Sequence, residues 1–150
     1  MNPSPSLELS YPVEGNDFAT AGEAATRIKR MLKQIGIDPE TTRRVAIVAY
    51  EAEMNIIIHA TRGILKLRVL PGVIEVRAED IGPGIPDIPL AMQEGYSTAP
   101  EHIREMGFGA GMGLPNMKRF SDEFWIESQV GKGTKVAARI YYDGSSDRGG

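Results

Sequence analysis

Three groups of residues have the types and spacing to do chemistry. Glu51, Asn55 and His59 recur every four residues, which puts a carboxylate, an amide and an imidazole along one side of a helix. The surrounding stretch from Val45 to Ile58 is apolar on nearly every other side. Burying an unpartnered carboxylate or amide is costly, so the stripe either lines a cleft that takes a ligand or faces solvent. The second group is Asp80, followed by Ile81-Gly82-Pro83-Gly84-Ile85. An Asp leaving a strand into such a turn is a turn-former, or an acceptor at the mouth of a pocket whose glycines leave room for a flat ring. The third is the run of alternate glycines Gly107, Gly109, Gly111 and Gly113, which feeds Leu114-Pro115-Asn116-Met117-Lys118-Arg119. Alternate glycines let a backbone approach something bulky. A helix opening from such a loop points free N–H groups and its positive dipole end at it, which suits a phosphate. A linker or a tight turn is the other reading of the same residues.

Composition narrows the chemistry. The chain has 150 residues, 41% hydrophobic and 25% charged, an ordinary balance for a domain with one sizeable core. A formal charge of −3 supplies no basic field for nucleic acid and no polybasic membrane patch. The absence of cysteine removes disulfides, thiol nucleophiles and iron–sulfur ligation. His59 and His102, the two histidines, are too few for a zinc site without cysteine. No apolar run reaches membrane-spanning length and the N-terminus has no signal-peptide pattern; a cytoplasmic protein is the expectation.

The elements that must position these groups follow from periodicity. Residues 1–6 are expected to be loose and Leu7 to Val13 to form a strand with Pro12 near its edge. Asn16 or Asp17 is expected to cap a helix running to about Ile35 and stopped by Gly36, with Phe18, Ala21, Ala25, Ile28, Leu32 and Ile35 as its apolar face. Asp38-Pro39 opens the helix that carries the stripe, to about Ala60. Gly63 to Leu70 and Val73 to Asp80, joined by Pro71-Gly72, read as a hairpin. From Asp87 to Met106 the pattern weakens into a short helical piece and a long connection, which suggests a functional lid over residues 94–108. Glu123 to Gln129 and Thr134 to Tyr142 read as two strands joined by Gly131-Lys132-Gly133, before a disordered tail at 143–150. One domain, spanning residues 1–150, is expected.

Four pieces thus stand in order: Glu51-x-x-x-Asn55, Asp80-x-Gly82-x-Gly84, Gly109-x-Gly111-x-Gly113-Leu114 and Gly131-x-Gly133-Thr134. The series resembles the N, G1, G2 and G3 boxes of the GHKL (Bergerat-fold) ATP-binding superfamily over about residues 40–140. The resemblance implies an α+β two-layer sandwich, a mixed, mostly antiparallel sheet with helices on one face. Within that superfamily the chain is similar to the bacterial anti-sigma-factor and RsbT-type switch serine/threonine kinases. The residues that carry this likeness are Asp87-Ile88, Ala91 to Thr98, Gly109-Ala110-Gly111, Leu114-Pro115, Lys118-Arg119 and Asp122-Glu123-Phe124. Ile58 stands where histidine kinases usually carry a Lys, and no helical segment presents a phospho-accepting His. The stretch between Thr98 and Gly109 is longer than in the switch kinases, and Met112-Gly113 is additional.

The resemblance implies a role for each matching residue. Asn55 would bind the cofactor by holding Mg²⁺, and Glu51 would act as general base. Asp80 would accept from the adenine amino group of ATP, with Gly82, Gly84 and Ile85 allowing close approach and Thr134 supporting the base. Gly109, Ala110, Gly111, Met112, Gly113 and Leu114 would wrap the phosphates. His59 is expected to pack beneath the nucleotide. Lys118 and Arg119 read as phosphate contacts or a solvated pair, Ser97 and Thr98 as structural, and Trp125 as core or edge packing. The partners implied are a STAS-domain antagonist, with a sigma factor or a phosphatase as further candidates, and no nucleic acid or membrane. A homodimer through the edge strand near Leu7 is plausible. The implied activity is serine/threonine kinase. An ATP-gated interaction module and a detached histidine-kinase catalytic domain are the alternatives.

Overall fold

Every second residue of the first strand, β1 (Leu7–Glu14), turns toward the interior, from Leu7 and Leu9 through Tyr11 to the buried Val13. The computed structural model describes residues 7–94 and 113–143. The readings made for residues 1–6, for Ser97, Thr98, His102, Gly109, Ala110, Gly111 and Met112, for the lid beyond Glu94 and for the tail beyond Asp143 lie outside the described residues. The remaining strands are β2 (Arg62–Leu70), β3 (Val73–Ile81), β4 (Glu123–Gln129) and β5 (Gly133–Tyr141). They form one sheet in the order β1-β2-β3-β5-β4, and each of its pairings is antiparallel. The expected β2–β3 hairpin closes through Pro71-Gly72, where Gly72 takes a left-handed φ of +79°, a conformation glycine adopts without a Cβ clash.

The inner face of the sheet carries Leu65, Leu67 and Val69 of β2, Ile74, Val76 and Ala78 of β3, and Val136, Ala138 and Ile140 of β5, all buried. Over them lie α1 (Glu23–Gln34) and α2 (Pro39–His59). Asp38 caps α2 by accepting from the Thr41 N–H at 3.0 Å, and Pro39 follows at the first position, where its missing donor costs nothing. Val45, Val48, Ala49, Ala52, Ile56 and Ile57 of α2 are fully buried, as the all-round apolar pattern required. The two-layer α+β architecture expected from the sequence is therefore the one observed.

The first helix departs from expectation. A single 3-10 turn (Phe18–Thr20) comes first, and α1 begins only at Glu23. Asn16 at φ +62° and Gly22 at φ +90° interrupt the helical run. The donors freed at the start of α1 find a partner the sequence did not advertise. Glu53 of α2, 2% exposed, accepts from the N–H groups of Gly22, Ala24 and Ala25 at 3.1, 3.2 and 3.0 Å. A buried carboxylate at a helix N-terminus satisfies both the orphan donors and the dipole. Phe18 and Ala21 pack against the core from the turn, while Ile35, one residue past the helix, is 45% exposed. Glu53→Ala leaves those donors unsatisfied in the interior and is expected to destabilise the fold by about 2–4 kcal/mol, read as a lowered urea midpoint with an unchanged slope.

The outer face of the sheet is charged. Glu8, Arg68, Glu75, Arg139 and Glu123 stand opposite one another across all five strands, with Glu75 at the centre only 3% exposed and bridged to Arg68, Arg77 and Arg139. Burial pushes the Glu75 carboxyl up, and the guanidinium hydrogen bonds and charges outweigh it, holding it below the usual carboxylate value. Trp125 lies on this outer face on edge strand β4, with the Arg139 guanidinium 5.2 Å from its ring, so it is edge packing. No described helix is long and apolar enough to cross a membrane.

Candidate functional site

The short helix α3 (Ile88–Ala91) precedes the undescribed stretch, and α4 (Gly113–Arg119) follows it. α4 packs on the polar side of α2. A Cβ built on Gly113 would stand 3.2 Å from Asn55 Oδ1 and 3.5 Å from Glu51 Oε1. The lack of a side chain at Gly113 lets the start of α4 come close to both oxygens. One turn further, Asn116 Nδ2 donates to Glu51 Oε2 at 3.2 Å, so one carboxylate oxygen is held while Oε1 faces Gly113. Met117 is buried, with Sδ 4.0 Å from Asn55 Nδ2, and the amide lies with Oδ1 at 3.2 Å and Nδ2 at 3.7 Å from the Gly113 Cβ position. Leu114 packs half-buried against the core edge.

His59 is the last residue of α2, where the chain turns extended at Ala60 and Gly82 approaches that residue's backbone; part of its surface is exposed, and burial of the ring pushes its imidazole below the ordinary value. Lys118 and Arg119 are exposed on α4, and Arg119 pairs with Glu94.

The other end of the site is built where the β3–β5 ladder stops at the Glu79–Lys135 pair. Asp80 continues it with its side chain, Oδ1 accepting from the Thr134 N–H at 3.1 Å. Asp80 thus clamps two strands rather than capping its own turn. Burial pushes its carboxyl above the usual carboxylate value, against the pull of the Thr134 N–H. Asp80, Ser128 and Thr134 share the inner parity of β3, β4 and β5 with Ala78, Ile126 and Val136, and their polar side chains meet at the open end of the core.

Here the glycines answer to close protein contacts. Gly82 lies where a Cβ would be 3.0 Å from Ala60 Cα and 3.4 Å from Asp80 Oδ1. Gly84, at φ +76°, has no room beside the Gln129 carbonyl, and Gly133 none beside the Asp80 carbonyl. Two loop hydrogen bonds fasten the segment: the Gly82 N–H to the Lys132 carbonyl at 3.0 Å, and the Gly131 N–H to the Pro83 carbonyl at 2.8 Å. The Ile85 N–H donates to Ser128 Oγ at 2.7 Å, and Ser128 Oγ lies 2.8 Å from Thr134 Oγ1.

The site therefore has two polar ends on the inner side of one sheet, a carboxylate–hydroxyl end and a carboxylate–amide end at a helix start. Among the described residues no three His, Asp or Glu side chains gather as a metal cage. One amide oxygen beside one carboxylate oxygen suits Mg²⁺, which keeps most of its waters and uses few protein ligands. Glu53, Asn116 and Ser128 were not singled out from the sequence. The signal for Ser128 was its inward place in the alternation of β4, and for Asn116 its position three residues after Gly113.

An antiparallel sheet under two helices, with these two polar clusters, fits an ATPase-type domain. The chain belongs to the family described as histidine kinase-like ATPase domain, whose signature matches residues 16–140. Its relatives are more particular. It is similar to the serine/threonine-protein kinase RsbT of Bacillus subtilis, 32% identical over 114 residues, covering 73% of this chain and 80% of that one. It is also similar to the anti-sigma F factor of Geobacillus stearothermophilus, 34% identical over 142 residues (91% of this chain, 90% of that one). The anti-sigma F factor of Clostridium botulinum strain Alaska E43 is 37% identical over 136 residues, 87% of this chain and 88% of its own. The superfamily resemblance noted in the sequence is thus borne out, and membership of an ATPase family supports ATP as the ligand.

Proposed function

We propose that this chain is an ATP-dependent serine/threonine protein kinase of the anti-sigma, stress-switch type, which phosphorylates a STAS-domain partner and regulates it by binding. The observation that carries the reading is the convergence of Glu51 Oε1 and Asn55 Oδ1 on Gly113 at the start of α4, with the Asp80–Thr134 clamp at the other end. Mg·ATP, when bound, supplies the electrophilic phosphoryl group and the cation that neutralises its charge. Asn55 holds the metal through its amide oxygen. Glu51, with Oε2 tied to Asn116, presents Oε1 to take the proton of a serine or threonine hydroxyl. Asp80 accepts from the adenine amino group, and Gly82, Gly84, Ile85 and Thr134 shape the pocket around the base. Gly109, Ala110, Gly111, Met112, Gly113 and Leu114 surround the phosphates. The setting is cytoplasmic. The names of the relatives support both arms of the proposal, kinase for one and anti-sigma factor for the others. A sigma factor is accordingly a second binding partner to test.

The metal role of Asn55 has its own test. Wild-type protein is expected to bind ATP about tenfold or more tightly with Mg²⁺ than with EDTA, a difference of ~1.4 kcal/mol. Asn55→Ala is expected to remove that increment while leaving metal-free affinity within about twofold. An undiminished Mg²⁺ effect in the variant, measured by calorimetry, would assign the metal to other ligands.

A further inference from the structure

We infer that Asn116 is a positioning residue for phosphate transfer, an uncharged donor that aims the Glu51 carboxylate and acts through Glu51 alone. This rests on the reading of Glu51 as the general base.

Chemistry fixes which end of the Asn116 amide meets Glu51. A carboxylate can only accept, so the 3.2 Å contact to Oε2 is donated by Nδ2. Among the described residues no other hydrogen bond reaches the Glu51 side chain. A glutamate side chain has several torsions to fix, and this one is only half-buried, so packing alone does not set its head. The Asn116 bond ties Oε2 to the body of α4. Oε1 then lies 3.5 Å from the Cβ position of Gly113, one turn earlier on the same helix. The helix that brings its start to Glu51 and Asn55 therefore also aims the carboxylate.

The donor is an amide, although cations stand close by. A guanidinium or ammonium against a carboxylate favours its charged form and makes it a poorer proton acceptor. Lys118 and Arg119 follow Asn116 on α4, yet both are exposed and Arg119 pairs with Glu94. The described ion pairs of α2 are Arg43 with Glu40 and Arg44 with Asp122, and neither involves Glu51. An amide orients the carboxylate without adding a charge beside it. Asp80 and Thr134, at the other end of the site, share no part of this bond, so nucleotide affinity is not expected to follow it.

Asn116→Leu keeps most of the side-chain volume and removes the donor. The test is single-turnover loss of the γ-phosphate from Mg·ATP, with protein in saturating excess and the STAS-domain partner present. The variant is expected to slow this step about 10- to 100-fold, the loss that follows a misplacement of about 1 Å. Its ATP affinity, by calorimetry, is expected to stay within about threefold of wild type, the split that marks a group used in the chemical step. In the Glu51→Ala background, adding Asn116→Leu is expected to change the residual rate by less than about twofold, because the two residues act as one unit. The same loss in both backgrounds, or a matching fall in ATP affinity, assigns Asn116 a general structural role and overturns the inference. An unchanged rate in Asn116→Leu overturns it as well and leaves Glu51 as the base. Wild-type speed in Glu51→Ala, or no γ-phosphate loss from the wild type, removes the base reading and this inference with it. If Asn116→Leu does not fold, Asn116→Ala lacks the same donor, favours the helix and carries the same expectations.

Discussion

Asp80→Asn is expected to lower ATP affinity at least a hundredfold, about 2.7 kcal/mol, while leaving the fold intact. The substitution keeps the shape and changes only the polarity. The amide oxygen can still accept from the Thr134 N–H, as Oδ1 does at 3.1 Å. The NH₂ group then replaces the free Oδ2 and sets a donor against the amino group of the base. Losing a positioned acceptor to a donor both forfeits a hydrogen bond and leaves two donors facing each other. Stability should move little, since burial already disfavours the charged form of Asp80 and a neutral amide avoids that cost. Calorimetric titration with ATP, alongside a thermal melt, separates the two effects. Retained ATP affinity in a folded variant would take the adenine role away from Asp80.

Glu51→Ala is expected to have the opposite signature. ATP affinity should stay within a few-fold of wild type, because Glu51 reaches the opening with one oxygen only and Asn55 remains. Phosphate transfer should fall by about 10²–10⁴-fold, the usual contribution of a positioned general base. Single-turnover measurement with saturating ATP reads the chemical step directly. If the protein is instead a nucleotide-gated binding module, the same variant loses nothing, because ATP-dependent capture of the partner does not use a base. A transfer rate unchanged by the substitution would remove Glu51 from the chemistry.

The sequence carried most of the frame because its signals are local. The alternation in β1, the two-residue Pro71-Gly72 turn and the Asp38-Pro39 cap each act within a few residues, and each is found where expected. The first helix failed for the converse reason. Its apolar spacing runs on through Phe18 and Ala21, but Gly22 is held left-handed where the Glu53 carboxylate meets the N–H groups, 31 residues away. No local pattern records such a partner. At the candidate site, Glu51, Asn55 and Asp80 were legible from type and spacing. Asn116 and Ser128 were not, because each acts by a side-chain hydrogen bond across the fold, 65 residues back to Glu51 and 43 residues back to Ile85.

The most direct measurement is phosphate transfer from γ-labelled Mg·ATP to a STAS-domain protein from the same genome, with Glu51→Ala as the control. The expected result is acid-stable label on a serine or threonine of the partner, lost in the variant. Label that is acid-labile, or transfer that survives in Glu51→Ala, would contradict the proposed serine/threonine kinase chemistry.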